Sequence, residues 1–192
     1  MEKRINSIKQ RRRREGLTDY SKRLALVKSG MLRVIVRKTN RRIIGQIAKY
    51  REEGDSILKT VTSDMLSAYG WPARANKPTA YLTGLLLAKR SKDLKENNFI
   101  IDAGLATFGK NSVGAAFAKG FVDGGMQLRA TLSIDENAYN CGWLSAYAKS
   151  LKESNPERYK RQFSSYIKDG ALENIKAKFD ETKSKILNSQ GE

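Results

Sequence analysis

The sequence lacks residue types on which many enzyme sites depend. It has no histidine, so the side chain that most often moves protons near neutral pH is absent. Its single cysteine, Cys141, cannot form an internal disulfide, so nothing indicates an oxidising compartment. We expect this thiol to be buried as a small hydrophobic group. Three prolines and fifteen glycines among 192 residues exclude a low-complexity polymer.

Long apolar runs are also missing. None approaches the ~20 residues that a membrane-spanning helix needs, and the N-terminus has no apolar segment of the kind found in signal peptides. At 192 residues and 40% hydrophobic, the chain is nevertheless long enough to bury a substantial core. We therefore expect a soluble, intracellular protein without a membrane partner.

Acidic residues are scarce at the N-terminus. The first 42 residues contain 15 Lys and Arg against three acids, and so supply +12 of the formal charge of +17. A phosphate backbone would relieve this self-repulsion, and the counterions released on binding would add to the affinity. The densest cationic run consists of Lys9, Arg11, Arg12, Arg13 and Arg14. This charge favours nucleic-acid binding, with a solvated tail or a localisation signal as the alternatives.

Hydrophobic periodicity predicts a βββαβα order for the first two thirds of the chain. A short helix over 19–28 precedes three strands with short polar links, which indicate an antiparallel meander. Pro78 suits the first turn of the following helix, and Asn111-Ser112 suits the cap of a second one that ends at Gly124-Gly125. The predicted strands lie at 32–40, 42–50, 56–63 and 98–105, and the two predicted helices at 78–94 and 113–125.

The last third is expected to be helical and more polar. After an irregular connection over 130–142, we predict a helix at 143–151, a second that starts at Asn155-Pro156 and stops at Asp169-Gly170, and a third at 171–187. Their apolar residues are too sparse for an independent core, so we expect them to pack on the domain or dock on a partner. The predicted class is a mixed α/β fold with an antiparallel-containing sheet and packed helices. Its parts are a basic arm (1–30), an α/β domain (31–128) and a helical C-terminal extension (129–192).

A binding surface is predicted at the first strand and the turn after it. Strand alternation places Arg33 and Arg37 on the face opposite Val34 and Val36. One face of the sheet would then be basic and exposed while the other is buried; a merely solvated strand face is the alternative. The adjoining polar corner adds Lys38, Thr39, Asn40, Arg41 and Arg42.

Aromatic residues near these cations are candidates for stacking on unpaired bases. They are Tyr20, Tyr69, Trp71 and Tyr81. Each could instead belong to the core or its rim. Tyr20 is the strongest candidate because it lies within the basic segment.

Catalytic signals are weak. Asp64, Asp102, Asp123 and Asp135 could be imagined as a metal-binding cluster, but single acids after strands are usually turn or cap residues. The segment 104–112 lacks the register of a phosphate-binding loop, although Lys110 could still touch a backbone phosphate. We therefore expect no catalytic residue, no metal, no cofactor and no small-molecule substrate.

Several ordered segments resemble a known family. RRRREGLTDYSKRL (11–24), LRVIVRKTNRRIIGQI (32–47), GW (70–71) and NKPTAYLTGLLLAKR (76–90) are similar to the archaeal form of large-subunit ribosomal protein eighteen, whose eukaryotic counterpart is large-subunit protein five. FIIDAGL and VGAAFAKGFVDGG also fit, so the resemblance covers about residues 7–128. Two positions depart from the family pattern: Lys77 stands where a Thr is expected and Arg42 where a His is common.

The resemblance implies an RNA-binding, non-enzymatic protein of the cytoplasmic ribosome. It implies 5S rRNA as the main partner, anchored to 23S rRNA in the central protuberance, with neighbouring large-subunit proteins as further partners of the extension. The residues carried over as 5S rRNA contacts are Arg11 to Arg14, Thr18, Tyr20, Arg23, Arg37, Lys38, Thr39, Asn40 and Arg41. A general DNA- or chromatin-binding protein, or a metal-dependent nuclease using Asp102 on an RNase-H-like scaffold, are the competing hypotheses.

Overall fold

A five-stranded mixed sheet forms the centre of the computed structural model, which describes residues 8, 10–96, 98–131, 133–168 and 174–189. In chain order the strands are β1 (Leu32–Lys38), β2 (Ile43–Lys49), β3 (Ser56–Thr62), β4 (Asn98–Asp102) and β5 (Gln127–Arg129). Their spatial order is β3-β2-β1-β4-β5. The predicted antiparallel meander of β1, β2 and β3 is confirmed. β4 lies parallel to β1, and β5 parallel to β4.

The predicted helix starts are confirmed by their caps. The side chains of Asp19, Asn76, Ser112 and Asn155 each accept a hydrogen bond from a backbone N–H in the first turn of a helix. In chain order the helices are α1 (Arg11–Arg14), α2 (Tyr20–Lys28), α3 (Lys77–Arg90), α4 (Val113–Asp123), α5 (Gly142–Ser154), α6 (Pro156–Gln162), α7 (Ser164–Lys168) and α8 (Ile175–Asn188). Short 3₁₀ segments lie at Ser63–Tyr69 and Glu136–Ala138. The predicted stop at Asp169-Gly170 and the predicted start at Ala171 lie outside the described residues.

Helices α3 and α4 cover one face of the sheet and pack against each other. Alternating residues of β1 and β2, among them Val34 and Ile47, are fully buried beneath them. Gly84 of α3 and Gly120 of α4 allow the two helices to approach closely, because a methyl group at either would overlap a backbone carbonyl of the facing helix. The main core therefore depends on small residues at the helix contact and large ones beneath it.

The last third of the chain packs on this domain. Phe179 of α8 lies against Trp71 and Tyr81, with ring centroids 5.8 and 5.6 Å apart, and Tyr139 stacks on Tyr81 at 4.5 Å. We call these four residues the aromatic seam. The Tyr81 hydroxyl also donates to Asp123 at 2.8 Å. The seam joins the extension to α3, so both belong to one hydrophobic core.

Burial decides two questions that the sequence left open. Trp71 and Tyr81 cannot stack on RNA bases because they are 2% and 0% exposed. Phe163 and Phe179 are likewise buried within this chain, and so cannot dock on a partner. The expected burial of Cys141 is confirmed; desolvation raises the pKa of its thiol to about 12, which leaves the thiolate scarce at neutral pH.

Candidate nucleic-acid interface

The basic arm contains one helical turn made entirely of arginine. Helix α1 ends at Arg14, and Gly16, with a φ of +62°, then lets the chain turn before α2 begins. All four guanidinium groups are exposed. Arg11 forms an ion pair with Glu15 at 3.2 Å, and Arg12 Nε donates to Thr18 Oγ1 at 2.6 Å. Within the described part of the chain, the Arg13 and Arg14 side chains have no ion-pair partner.

The turn between β1 and β2 presents a second group of cations, which we call the strand corner (residues 37–42). Thr39 closes this turn: its hydroxyl accepts from the Arg42 N–H at 2.9 Å and donates to the Arg42 carbonyl at 3.1 Å. Asn40 and Arg41 are thereby left exposed at its tip. Thr39, predicted as an RNA contact, has a structural role here that occupies its hydroxyl.

The arm and the strand corner meet at a cleft of about 350 Å³, which we call the arm cleft. One wall is formed by residues 12–26 of the arm, which include most of α2, and the other by the end of β1 and the loop after β4. Lys22 crosses between them, since its Nζ donates to the Gly104 carbonyl at 3.2 Å. The cations that line the cleft are Arg12, Lys22, Arg23, Arg37 and Lys38. Residues that are separate in sequence are therefore brought onto one basic surface.

Arg33 does not belong to that surface, contrary to the sequence prediction. Its side chain is 1% exposed and forms ion pairs with Asp55 and, at 3.7 Å, with Asp102. Arg23 of α2 also binds Asp55, at 2.9 Å. A guanidinium ion removed from water needs such partners, so the strand face carries an internal ion-pair network where a solvated arginine was expected.

The Arg33 guanidinium, with a further contribution from Arg23, holds the pKa of Asp55 below its ordinary value of 3.8 although burial opposes ionisation. Asp55 therefore stays charged and ties α2 to the sheet.

The Arg37 side chain is hydrogen-bonded within the protein and is also partly exposed to solvent. Its guanidinium donates to the Asp102 carbonyl at 2.7 Å and to Asp102 Oδ1 at 3.1 Å, yet its side chain remains 43% exposed. Gly104, at φ +63°, makes room for this arrangement, because a Cβ there would lie 3.0 Å from the Arg37 Cζ. The neighbouring Lys38 and Arg41 have no ion pair within the part of the chain that the structure describes.

The remaining candidates are dispersed. Tyr20 is 41% exposed, Tyr69 is half-buried, and Lys9 lies outside the described residues. The four aspartates considered as a metal cluster bind separate partners, and no group of three or more potential metal ligands occurs among the described residues. Those partners are Arg42 for Asp64, Arg33 and Arg37 for Asp102, Tyr81 and Lys119 for Asp123, and Asn111 for Asp135.

Sequence reasoning missed three contributors to this site. Lys22 lies one helical turn beyond the Asp19 cap, a position from which it could have been expected to share the arm's surface. Asp55 and Asp102 were missed as arginine partners, because only the fold brings the loop before β3 and the end of β4 beside β1. No spacing rule would have paired them.

The fold and the site together define a basic, mixed α/β protein with a cationic surface suited to a polyanion. Comparison with known proteins identifies the family, within this class, that the chain matches. The family model described as ribosomal large subunit proteins 60S L5 and 50S L18 matches residues 4–99. Large ribosomal subunit protein uL18 from Korarchaeum cryptofilum (strain OPF8) is 42% identical over 167 residues, which cover 85% of this chain and 85% of the relative. The protein of the same name from Caldivirga maquilingensis is 37% identical over 185 residues, 94% of this chain and 89% of the relative.

The chain belongs to the uL18 family of large-subunit ribosomal proteins. The resemblance stated from the sequence is thereby confirmed. Membership makes the protein a structural component of the ribosome and not an enzyme. In the described residues no helix has the length and hydrophobicity to cross a membrane.

Proposed function

We propose that this chain binds 5S rRNA through its arm and strand corner, and helps to anchor that RNA to 23S rRNA in the central protuberance of the large subunit. The observation that carries the proposal is the convergence of the arm and the strand corner on the arm cleft. A flexible basic tail alone would need no such folded counterpart.

The charge balance of this surface supports a phosphate partner. The two acids that line the cleft are already engaged: Asp19 caps α2, and Asp102 binds Arg33 and Arg37. By contrast, Lys38 of the cleft lining is exposed and has no ion pair within the described chain, and the same holds for Arg13 and Arg14 of the arm and Arg41 of the strand corner, which lie outside the lining. Uncompensated cations at this density favour contacts to a phosphate backbone, which position an RNA without reading its sequence.

Selectivity for one RNA would come from groups that are not simple cations. Asn40 is exposed at the strand corner, held there by the Thr39 hydrogen bonds, and can offer both a donor and an acceptor. Tyr20 presents an exposed ring for an unpaired base. A protein that binds DNA without regard to sequence would not need such groups, so they favour the 5S rRNA hypothesis over general DNA binding.

The outer surface of the extension is the proposed contact for 23S rRNA or neighbouring ribosomal proteins. Trp143 and Tyr147 on α5 remain 43% and 38% exposed. Both rings are available to an external partner.

The test compares two variants with equal changes in charge. Replacing Arg11, Arg12, Arg13 and Arg14 with Ala should flatten the dependence of log affinity for 5S rRNA on log salt by about three, since each lost phosphate contact removes roughly 0.7–0.9. The control replaces four exposed cations of α5 and α6, Lys149, Lys152, Lys160 and Arg161, with Ala.

Filter-binding titrations over a range of salt concentrations would measure both slopes. The control should keep most of the wild-type slope. Equal slopes for the two variants would mean that the arm contributes only nonspecific positive charge to RNA binding. Equal affinity of the wild-type protein for duplex DNA and 5S rRNA would favour the general DNA-binding hypothesis instead.

A further inference from the structure

The arm cleft has a composition that a phosphate contact alone does not explain. Besides its cations, the cleft is lined by apolar residues: Val36 and Ala103 are almost fully buried, Leu26 is half-buried, and Leu17, Leu105 and Ala106 are exposed. A phosphate needs cations and N–H donors but gains nothing from aliphatic walls. Cavities of roughly 300–1,000 Å³ with apolar walls and a few polar groups are typical of small-molecule sites, and the arm cleft, at about 350 Å³, lies within this range.

The exposed cations of the arm cleft form its rim. Arg12 and Lys38 approach from opposite walls, while Lys22 is fixed to the Gly104 carbonyl at 3.2 Å. The floor near Val36 and Ala103 is almost fully buried, at 5% and 6% exposure. An occupant that matches both parts has a flat or aliphatic body and an anionic group at one end.

We propose that the arm cleft binds one unpaired nucleotide of the RNA, with its base against the apolar floor and its phosphate at the cationic rim. Proteins recognise RNA chiefly at such unstacked nucleotides, which can be turned out of the helix. The inference rests on the proposed 5S rRNA binding and extends it, because it assigns the cleft to a base as well as to the backbone.

The cleft can be filled without altering charge. Ala106 is exposed at its mouth, so Ala106→Phe should occupy the apolar space while sparing the core. Ala25 is exposed on α2 and does not line the cleft, which makes Ala25→Phe the matched control. We expect Ala106→Phe to weaken binding of an archaeal 5S rRNA transcript by about tenfold or more. Its salt slope should equal that of the wild type, since no phosphate contact is removed.

A second measurement identifies the nucleotide. In a set of 5S rRNA transcripts, each carrying one abasic ribose at an unpaired position, one position should weaken wild-type binding but cause no further loss with Ala106→Phe. Such coupling is the signature of two changes at one contact. Circular dichroism and thermal unfolding would confirm that both Phe variants are folded.

The outcomes separate the two proposals. If neither the wild type nor Ala25→Phe binds 5S rRNA selectively, the proposed function fails. If both bind and Ala106→Phe binds equally well, or no abasic position shows coupling, the nucleotide assignment is wrong and the cleft holds backbone only. Binding of millimolar free AMP or UMP, each tested alone, that leaves the affinity for 5S rRNA unchanged would instead assign the cleft to free nucleotides and overturn its assignment to RNA.

Discussion

Two tyrosines show how differently the arm cleft region and the aromatic seam use the same side chain. Tyr20 begins α2 among cations and is 41% exposed. Tyr81 is fully buried, stacks on Tyr139 and donates its hydroxyl to Asp123. Both desolvation and the Asp123 carboxylate raise the pKa of Tyr81, so its hydroxyl stays protonated as a donor. The first ring is available to a partner, whereas the second holds the protein together.

Two arginines make the same contrast for charge. Arg33 lies within the ion-pair network between α2 and the sheet, at 1% exposure, while Arg41 projects from the strand corner. Removing Arg41 should affect binding, and disturbing Arg33 should affect folding. Stability and RNA affinity can therefore be measured as separate consequences of the two regions.

The largest expected effect is on stability, at the seam. Phe179→Ala should lower the free energy of unfolding by about 3–5 kcal/mol, because it removes a buried ring that contacts Trp71 and Tyr81. Urea unfolding would measure this. The exposed Trp143→Ala serves as control and should cost about 0.5 kcal/mol. A small loss of unfolding free energy for Phe179→Ala would mean that α8 does not complete the core. A changed salt slope of RNA binding in the folded variant would mean that the aromatic seam also contributes to RNA binding.

The ion-pair network should show the next largest effect. Asp55→Asn should cost about 3 kcal/mol of unfolding free energy, because it leaves Arg33 buried with only the more distant Asp102. The folded-state pKa of Asp55 is depressed, so its contribution is present above the ordinary pKa of 3.8 and is lost as pH falls through the folded value. The difference between wild type and variant should therefore begin to shrink below about pH 4.

Urea unfolding at neutral and acidic pH would test this dependence. Asp64→Asn, at a half-exposed ion pair with Arg42, is the matched control and should cost less than about 1 kcal/mol. A difference between Asp55→Asn and wild type that stays constant with pH would show that the charge of Asp55 is not what stabilises α2 on the sheet.

Changes to the strand corner should have an intermediate effect, here on the affinity for RNA. Replacing Arg37 and Asn40 together with Ala should cost about 1–3 kcal/mol on 5S rRNA and much less on a nonspecific RNA of equal length. Because Arg37 also binds Asp102, the Asn40→Ala single variant isolates the part that involves no ion pair. Competition binding would measure both. Equal losses on the two RNAs would make the corner purely electrostatic.

The smallest expected effect is a difference in 5S rRNA affinity between variants of two neighbouring arginines. Arg41 is free of ion pairs within the described chain, whereas Arg42 Nε lies 2.8 Å from Asp64. Arg41→Ala should reduce 5S rRNA affinity about two- to threefold more than Arg42→Ala, since both remove one charge but only Arg41 is fully available to phosphate. The salt slopes from filter binding should differ in the same direction. The reverse order would indicate that Arg42 leaves Asp64 when RNA binds.

The sequence by itself determined the order of the elements and the position of the charge. Capping residues, alternating strands and helical stripes depend on near neighbours in the chain, so helix starts at Asp19, Pro78, Ser112 and Asn155 could be predicted without the fold. β5 escaped prediction because three residues are too few to show alternation. The motif-level resemblance was sufficient to identify the family.

Only the tertiary structure decided which members of a residue type face solvent. Alternation placed Arg33 beside Arg37, but it could not show that α2 and Asp55 enclose Arg33. Nor could it show that α8 covers Trp71 and Tyr81, or that the arm reaches the loop after β4 to form the cleft. Burial depends on contacts between distant segments, which local pattern does not encode, and burial determines whether a charge or a ring stabilises the fold or remains available to RNA.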